Sequence, residues 1–354
     1  MLKHSFNTIK HNIKNVRYLK TFNNETVFER SDYSMEYIKK YFLNTKISVL
    51  GYGPQGRAQA LNMKDNGLNV SIGVRNTQEP LKDGFIKDTN LFSIEEATHN
   101  ADIILYYLSD AGQKEMWNNI KPFLTENKTL CFSHGFSIVY SDQTNVIPPS
   151  NIDVIMVAPK GTGSTLRNKF IKGEGINSSI AVHQNYTGNA YQNVRYLAFA
   201  IGSGNIYYTT FKNEVYSDLV GERGALMGGI HGLFLAQYNV LREMGHTPTE
   251  AFNETVEEAT QSLIPLIADK GMDWMYANCS TTAQRGAIDW YPKFEEALRP
   301  VFKELYKSVI DGKETEIVLK HNADKNYREK LNKELEEISE KEIWKVGKFV
   351  RSIR

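Results

Sequence analysis

Residues 46–75 read KISVLGYGPQGRAQALNMKDNGLNVSIGVR, and this stretch decides the fold. A short β-branched run, Ile47–Leu50, leads directly into Gly51, Gly53 and Gly56, spaced GxGxxG. These open a helical pattern over Arg57–Asn66, which gives way to a second apolar run at Val70–Val74. Strand, glycine turn, helix and strand make one βαβ unit. The glycines let the chain turn tightly and bring its backbone close to a pyrophosphate, whose charge then rests on the amides and dipole of the helix N-terminus. A lone GxGxxG is a weak signal, but inside a complete βαβ unit it favours dinucleotide binding over a merely structural turn. Where an NAD site places Asp or Glu at the end of the second strand, this chain has Gly73, Val74 and Arg75. An arginine there suits a 2′-phosphate, so the sequence favours NADP, the alternative being that Arg75 is a surface residue.

Outward from this unit the alternation continues. Ile103–Leu108, Leu130–Ser133, Val154–Ala158 and Ile180–Val182 read as buried strands. Ile94–Asn100, Gln113–Pro122 and Ala190–Ile201 read as the helices between them, with Ser93 and Glu96 forming a capping box. The pattern predicts an α/β Rossmann-type, doubly wound domain with a mostly parallel sheet over residues 25–210. After Thr210 the strands stop and the chain reads helical over Glu214–Met244, Pro248–Ala268, Thr281–Ile310 and Lys325–Val350, which predicts an all-α domain over 211–354. Ala225–Leu241 is expected to be a buried core helix, too short and too interrupted by His231, Gln237 and Asn239 to cross a membrane. Gly224, Gly228 and Gly232 would share one of its faces, as if another backbone packed against it.

A length of 354 residues fits two domains, and 41% hydrophobic with 23% charged residues is a globular composition. A net charge of +1 gives no basic field for nucleic acid or an anionic membrane. Two cysteines, Cys131 and Cys279, make neither a disulfide framework nor a CxxC motif. Residues 1–24 differ from the rest. They carry Lys3, Lys10, Lys14, Arg17 and Lys20 with no acid, and Phe6, Ile9, Ile13, Val16 and Leu19 recur three and four apart. This basic amphipathic helix fits an organelle transit peptide, the alternative being a surface extension of a cytoplasmic protein.

Two acid pairs stand at helical i,i+4 spacing: Asp218 and Glu222 in VYSDLVGERGALMGG, and Glu254 and Glu258 in AFNETVEEATQS. Such pairs usually face water. Here each borders an apolar run, and four carboxylates gathered in a packed helical domain need cations or protons. All-oxygen ligation suits two Mg²⁺ ions sharing a carboxylate. Glu257, off that face, is expected to be solvated. His134 in LCFSHGF and Lys160 in VIMVAPKGTG follow strand runs, where open α/β sheets bind ligands, although either could be an ordinary loop residue. Ser280 in NCSTTAQRG reads chemically as a helix cap.

Together these segments resemble ketol-acid reductoisomerase along nearly all of residues 25–354, and most closely its fungal mitochondrial short form. The motifs, in order, are GYGPQG, ALNMKDNGLNV, YLSDAGQ, FSHGF, VAPKGTG, GINSS, SDLVGERG, GGIHGLFLAQY, AFNETVEEATQSL, MDWMYANCSTTAQRGA and IWKVGKFVRS. The resemblance implies an NADPH- and Mg²⁺-dependent isomeroreduction of 2-acetolactate or 2-aceto-2-hydroxybutyrate in valine and isoleucine biosynthesis. It implies Asp218 and Glu222 as metal ligands, with Asp218 bridging two ions. Glu254 and Glu258 would reach in from a second subunit of a homodimer, or larger oligomer, whose helical domains are knotted or interlocked. Ser280 would hold substrate. His134 and Lys160 would line the polar pocket, with Lys160 and Glu258 candidates for moving the hydroxyl proton. The implied dinucleotide site comprises Gly51, Tyr52, Gly53, Pro54, Gln55, Gly56, Arg75, Thr77, Ser109, Asp110, Gln113 and His134.

Two features depart from the family pattern. Pro54 replaces a small residue of the glycine loop and removes one backbone N–H. The segment 75–91 is short and lacks a serine beside Arg75, leaving Thr77 as its helper. Two rival readings are a metal-independent β-hydroxyacid dehydrogenase, which does not predict the acid pairs, and a non-catalytic NADP-binding sensor, which would not need every matching position filled.

Overall fold

The computed structural model describes residues 20–22 and 25–353. The chain divides into two compact units, Met1–Val215 and Tyr216–Arg354, five residues beyond the expected boundary. The amphipathic helix expected over residues 1–24 lies almost wholly outside the described residues. Its last part is not helical: Lys20–Phe22 is a strand.

The first unit is built on ten strands: β1 (Lys20–Phe22), β2 (Glu25–Glu29), β3 (Ile47–Leu50), β4 (Val70–Gly73), β5 (Leu91–Phe92), β6 (Ile103–Tyr106), β7 (Thr129–Phe132), β8 (Asp153–Pro159), β9 (Ile176–Gln184) and β10 (Ser203–Tyr208). They form one sheet in the order β1-β2-β10-β9-β8-β7-β6-β3-β4-β5. From β5 to β8 every pairing is parallel. β3 is the switch point, because the chain runs outward through β4 and β5 and then returns to add β6 on the other side. The crevice at such a reversal is where open sheets hold dinucleotides.

The strand pattern explains the double cover. Ile47, Val49, Ile103 and Leu105 enter one core with Leu197 and Phe199, whereas Leu50, Ile104 and Tyr106 enter another with Trp117 and Phe132. Alternate residues thus face opposite layers of helix. Two expectations change. The run read as Ile180–Val182 is nine residues long and pairs antiparallel to β8, and β10 and the β1–β2 hairpin extend the sheet beyond the strands expected.

The second unit is helical, as expected, but its first long helix is neither continuous nor buried. The Phe211–Arg223 helix, which crosses the unit boundary, ends before a turn, and a new helix runs from Gly228 to Glu243. Of that second helix only Tyr238 is buried, while Leu233 and Val240 are about half exposed. Of the three glycines Gly228 serves the turn between the helices, since a Cβ there would lie 2.2 Å from the Arg223 carbonyl oxygen; one on Gly224 would meet the Phe302 ring at 2.5 Å, and one on Gly232 would meet nothing. At Gly228 the close backbone is the chain's own. A small core joins Tyr238, Ala251, Phe252, Val256 and Ile343. The 30-residue Thr281–Ile310 helix buries only Val309 and exposes Trp290, Tyr291, Phe294 and Val301. No helix of the described residues is long and apolar enough to cross a membrane.

Candidate active site

The glycine loop follows β3. Gly51 has φ +98°, and a Cβ there would stand 2.7 Å from the Tyr107 carbonyl oxygen; on Gly56 it would stand 2.3 Å from the Gly51 carbonyl oxygen. Both positions therefore exclude side chains. Gly53 caps the Pro54–Asp65 helix and has open space where a Cβ would be, which leaves the helix N-terminus accessible to an anion. Pro54 sits in the first helical turn, where a backbone N–H has no intrahelical partner, so the helix loses nothing by it. Gln55 donates from Nε2 to the Gly161 carbonyl at 2.8 Å. A Cβ on Gly163 would collide with the Pro54 carbonyl at 2.0 Å, so this glycine of VAPKGTG lets that loop lie directly on the glycine loop.

Lys160 heads this second loop, just past the end of β8, and His134 lies two residues past β7. Both converge on Glu214, a carboxylate 2% exposed: Lys160 Nζ is 2.9 Å from its Oε1 and His134 Nδ1 is 3.4 Å from its Oε2. Gly135 makes the approach feasible, since a Cβ there would press on Phe211 at 2.7 Å and on Val215 at 3.1 Å. Burial alone would raise the Glu214 carboxyl, but His134 and Lys160 together bring it below its ordinary value, so it stays ionised. Sequence reading missed Glu214, although it precedes Asp218 and Glu222 at the same four-residue spacing on one helix face. That spacing was its signal.

The remaining expected dinucleotide residues are more dispersed in role. Ser109 caps the Asp110–Ile120 helix by accepting from Gly112 N at 3.2 Å, and Asp110 stands in its first turn. Gln113 is buried and donates from Nε2 to the carbonyls of Tyr106 and Leu108, which fixes the turn after β6. Arg75 is exposed and 3.5 Å from Glu115, and Thr77 precedes the short Gln78–Lys82 helix.

In the helical unit Asp218 is half-buried and Glu222 exposed, two consecutive turns of the Phe211–Arg223 helix. Glu254 lies in a π-helical turn, Asn253–Glu257, and Glu258 is the residue between it and a second one, Ala259–Leu263; both are exposed, whereas Glu257, expected to be solvated, is half-buried. The wider π turns rotate these positions relative to an α-helix. Among the described residues of this one chain, no carboxylate cluster combines the two acid pairs. Ser280 caps the Thr281–Ile310 helix, accepting from Ala283 N at 3.2 Å.

A parallel sheet with an open glycine cradle at its switch point and titratable side chains at the adjoining strand ends is the arrangement of a dinucleotide-dependent oxidoreductase. Residues 41–206 match the family model described as acetohydroxy acid isomeroreductase, NADPH-binding domain, and residues 211–354 match ketol-acid reductoisomerase, C-terminal domain. The chain belongs to the ketol-acid reductoisomerase family, enzymes of branched-chain amino acid biosynthesis. It is 57% identical over 334 residues to the mitochondrial ketol-acid reductoisomerase of Saccharomyces cerevisiae, covering 93% of this chain and 85% of the relative. A ketol-acid reductoisomerase (NAD(+)) of Desulfosudis oleivorans is 54% identical, covering 93% and 95%. Among solved structures, an NADH-preferring ketol-acid reductoisomerase from an uncultured archean superposes with a TM-score of 0.80 at 30% identity, covering 93% of this chain and 99% of that one.

Proposed function

We propose that this chain carries out an NADPH- and Mg²⁺-dependent isomeroreduction of 2-acetolactate, and of 2-aceto-2-hydroxybutyrate, to 2,3-dihydroxy acids. The observation that carries the reading is the buried Glu214 carboxylate holding Lys160 and His134, one helical turn before Asp218. When bound, the ions polarise the substrate oxygens and the dinucleotide supplies hydride. The open backbone at Gly53 fits a pyrophosphate, and the all-carboxylate donors Asp218, Glu222, Glu254 and Glu258 fit a hard cation. Glu214 accepts from Lys160 Nζ and aims it, so Lys160 can exchange a proton with the substrate hydroxyl as the alkyl group migrates. Ser280 has a hydroxyl proton left to donate to a substrate oxygen after capping its helix.

Arg75 supports NADPH as the preferred reductant. The separation of the two acid pairs within one chain, together with the uncovered apolar residues of the Thr281–Ile310 helix, supports a homodimer in which Glu254 and Glu258 complete the partner's site. Mitochondrial relatives and the basic N-terminal segment, residues 1–24, support import into mitochondria.

The test is NADPH oxidation with 2-acetolactate as a function of Mg²⁺, run beside NADH and beside Asp218→Asn. Metal-dependent turnover, faster with NADPH and lost in Asp218→Asn, is expected. Dinucleotide binding without turnover at any Mg²⁺ concentration would overturn the reading.

A further inference from the structure

Asp83 lies outside every motif singled out from the sequence, yet it holds two parts of the dinucleotide site together. Its Oδ2 accepts from Tyr52 OH at 2.8 Å and from Arg57 Nε at 2.7 Å, and its Oδ1 accepts from Arg57 Nη2 at 2.9 Å. Its backbone carbonyl and that of Gly84 accept from Lys64 Nζ at 3.1 and 3.0 Å, and the same ammonium lies 4.5 Å from the centre of the Phe85 ring. Tyr52 sits between Gly51 and Gly53 of the phosphate loop, and Arg57 and Lys64 are two turns apart on the helix that the loop opens. Phe85 is buried and meets the Tyr52 ring edge-on at 6.0 Å. The segment from Val74 to Lys82 therefore has two fixed ends. One is β4, and the other is Asp83, clamped to the glycine loop. Arg75 and Thr77 lie between them.

We propose that the Tyr52–Asp83–Arg57 clamp is a positioning device for cofactor selection, fixing the segment that carries Arg75 and Thr77 at a set distance from the pyrophosphate loop. This rests on the dinucleotide reading of the preceding subsection. Asp83 acts through Tyr52 and Arg57. A bidentate arginine fork onto a carboxylate that also accepts a phenol specifies one geometry, which a single-point contact would not. The clamp matters most for a ligand that bridges both elements. A 2′-phosphate contacts the 75–77 segment while the pyrophosphate rests on the loop, so NADPH should depend on the clamp more than NADH does.

The experiment compares wild type, Asp83→Asn and Tyr52→Phe by fluorescence titration of NADPH and NADH, with KM and kcat for each dinucleotide and amide hydrogen exchange over residues 75–82. Asp83→Asn is expected to weaken NADPH binding by about five- to tenfold, the scale of losing one charge-assisted hydrogen-bonded pair at a partly exposed site. NADH should weaken less, so the preference narrows, the loss appears in KM, and amides 75–82 exchange faster. Tyr52→Phe keeps the ion pair and should give a smaller change in the same direction, which preserves the test if Asp83→Asn fails to fold. Asp83→Glu should recover part of the preference. Unchanged NADPH affinity and preference in a folded variant would overturn the clamp proposal alone. A wild type that binds neither dinucleotide would instead overturn the reading on which it rests.

Discussion

Lys160 Nζ lies 2.9 Å from Oε1 of Glu214, a carboxylate with almost no exposure, whereas the lysine side chain itself is 31% exposed. The pair joins the end of β8 to the first turns of the Phe211–Arg223 helix, and it leaves the ammonium reachable from outside while its counter-ion is sealed. Glu214→Gln would keep the shape and remove the charge. We expect turnover to fall about 100-fold, the lower end of what a positioned proton donor contributes. Urea denaturation should register a loss of about 1–3 kcal/mol, less than for a fully buried pair because Lys160 is partly solvated. Wild-type turnover in Glu214→Gln would make the pair structural only.

Gly56→Ala places a Cβ 2.3 Å from the Gly51 carbonyl oxygen, a backbone atom that no side-chain movement can clear. The expected cost is about 1–3 kcal/mol of stability, with weaker dinucleotide binding because the loop must open. Thermal unfolding and NADPH fluorescence titration check both parts. Gly53→Ala, where a Cβ meets nothing, should melt close to wild type.

Asp83 also predicts a pH dependence. Hydrogen bonding from Arg57 holds its carboxyl below the ordinary value, assisted by Tyr52. Because the folded value is the lower one, its contribution to stability is fully present above the unfolded pKa of about 3.9 and is lost as pH falls through the folded value. The stability gap between wild type and Asp83→Asn should therefore stay constant near neutral pH and close below about pH 4. Urea unfolding at several pH values measures it, and a gap that widened in acid would contradict the assignment.

If each site takes Asp218 and Glu222 from one subunit and Glu254 and Glu258 from the other, two inactive variants should rescue each other. Asp218→Asn and Glu258→Gln are each expected to abolish turnover. Unfolded and refolded together, they should regain part of it, because each mixed dimer contains one intact site and one that lacks both groups. No recovery in demonstrably mixed dimers would place all four carboxylates in one subunit.

Local chemistry made much of this legible in advance. The βαβ unit at 46–75, the alternating strands and helices that follow, and the change to helix after Thr210 all leave short-range periodic signals. The capping box at Ser93 and Glu96 formed as read, with Ser93 Oγ accepting from Glu96 N at 3.2 Å. Other features carried no such signal. β10 and the β1–β2 hairpin are placed by pairing partners far away in the chain. The break between Arg223 and Gly228 needed a backbone turn that an apolar, helix-like sequence concealed. The burial expected for the Gly228–Glu243 helix did not follow from its hydrophobicity, because amphipathic patterning identifies an apolar face without saying what covers it.

By itself, then, the sequence determined the doubly wound class, the glycine loop after the first βαβ strand, the acid pairs and the two strand-end residues His134 and Lys160, since each is encoded within a few consecutive residues. Only the tertiary structure decided that Glu214 is the buried anion between those two residues, and that Asp83 ties Tyr52 to Arg57. These are contacts between residues 26 to 80 positions apart, and their energies depend on distance and burial, which no local pattern of residue types specifies.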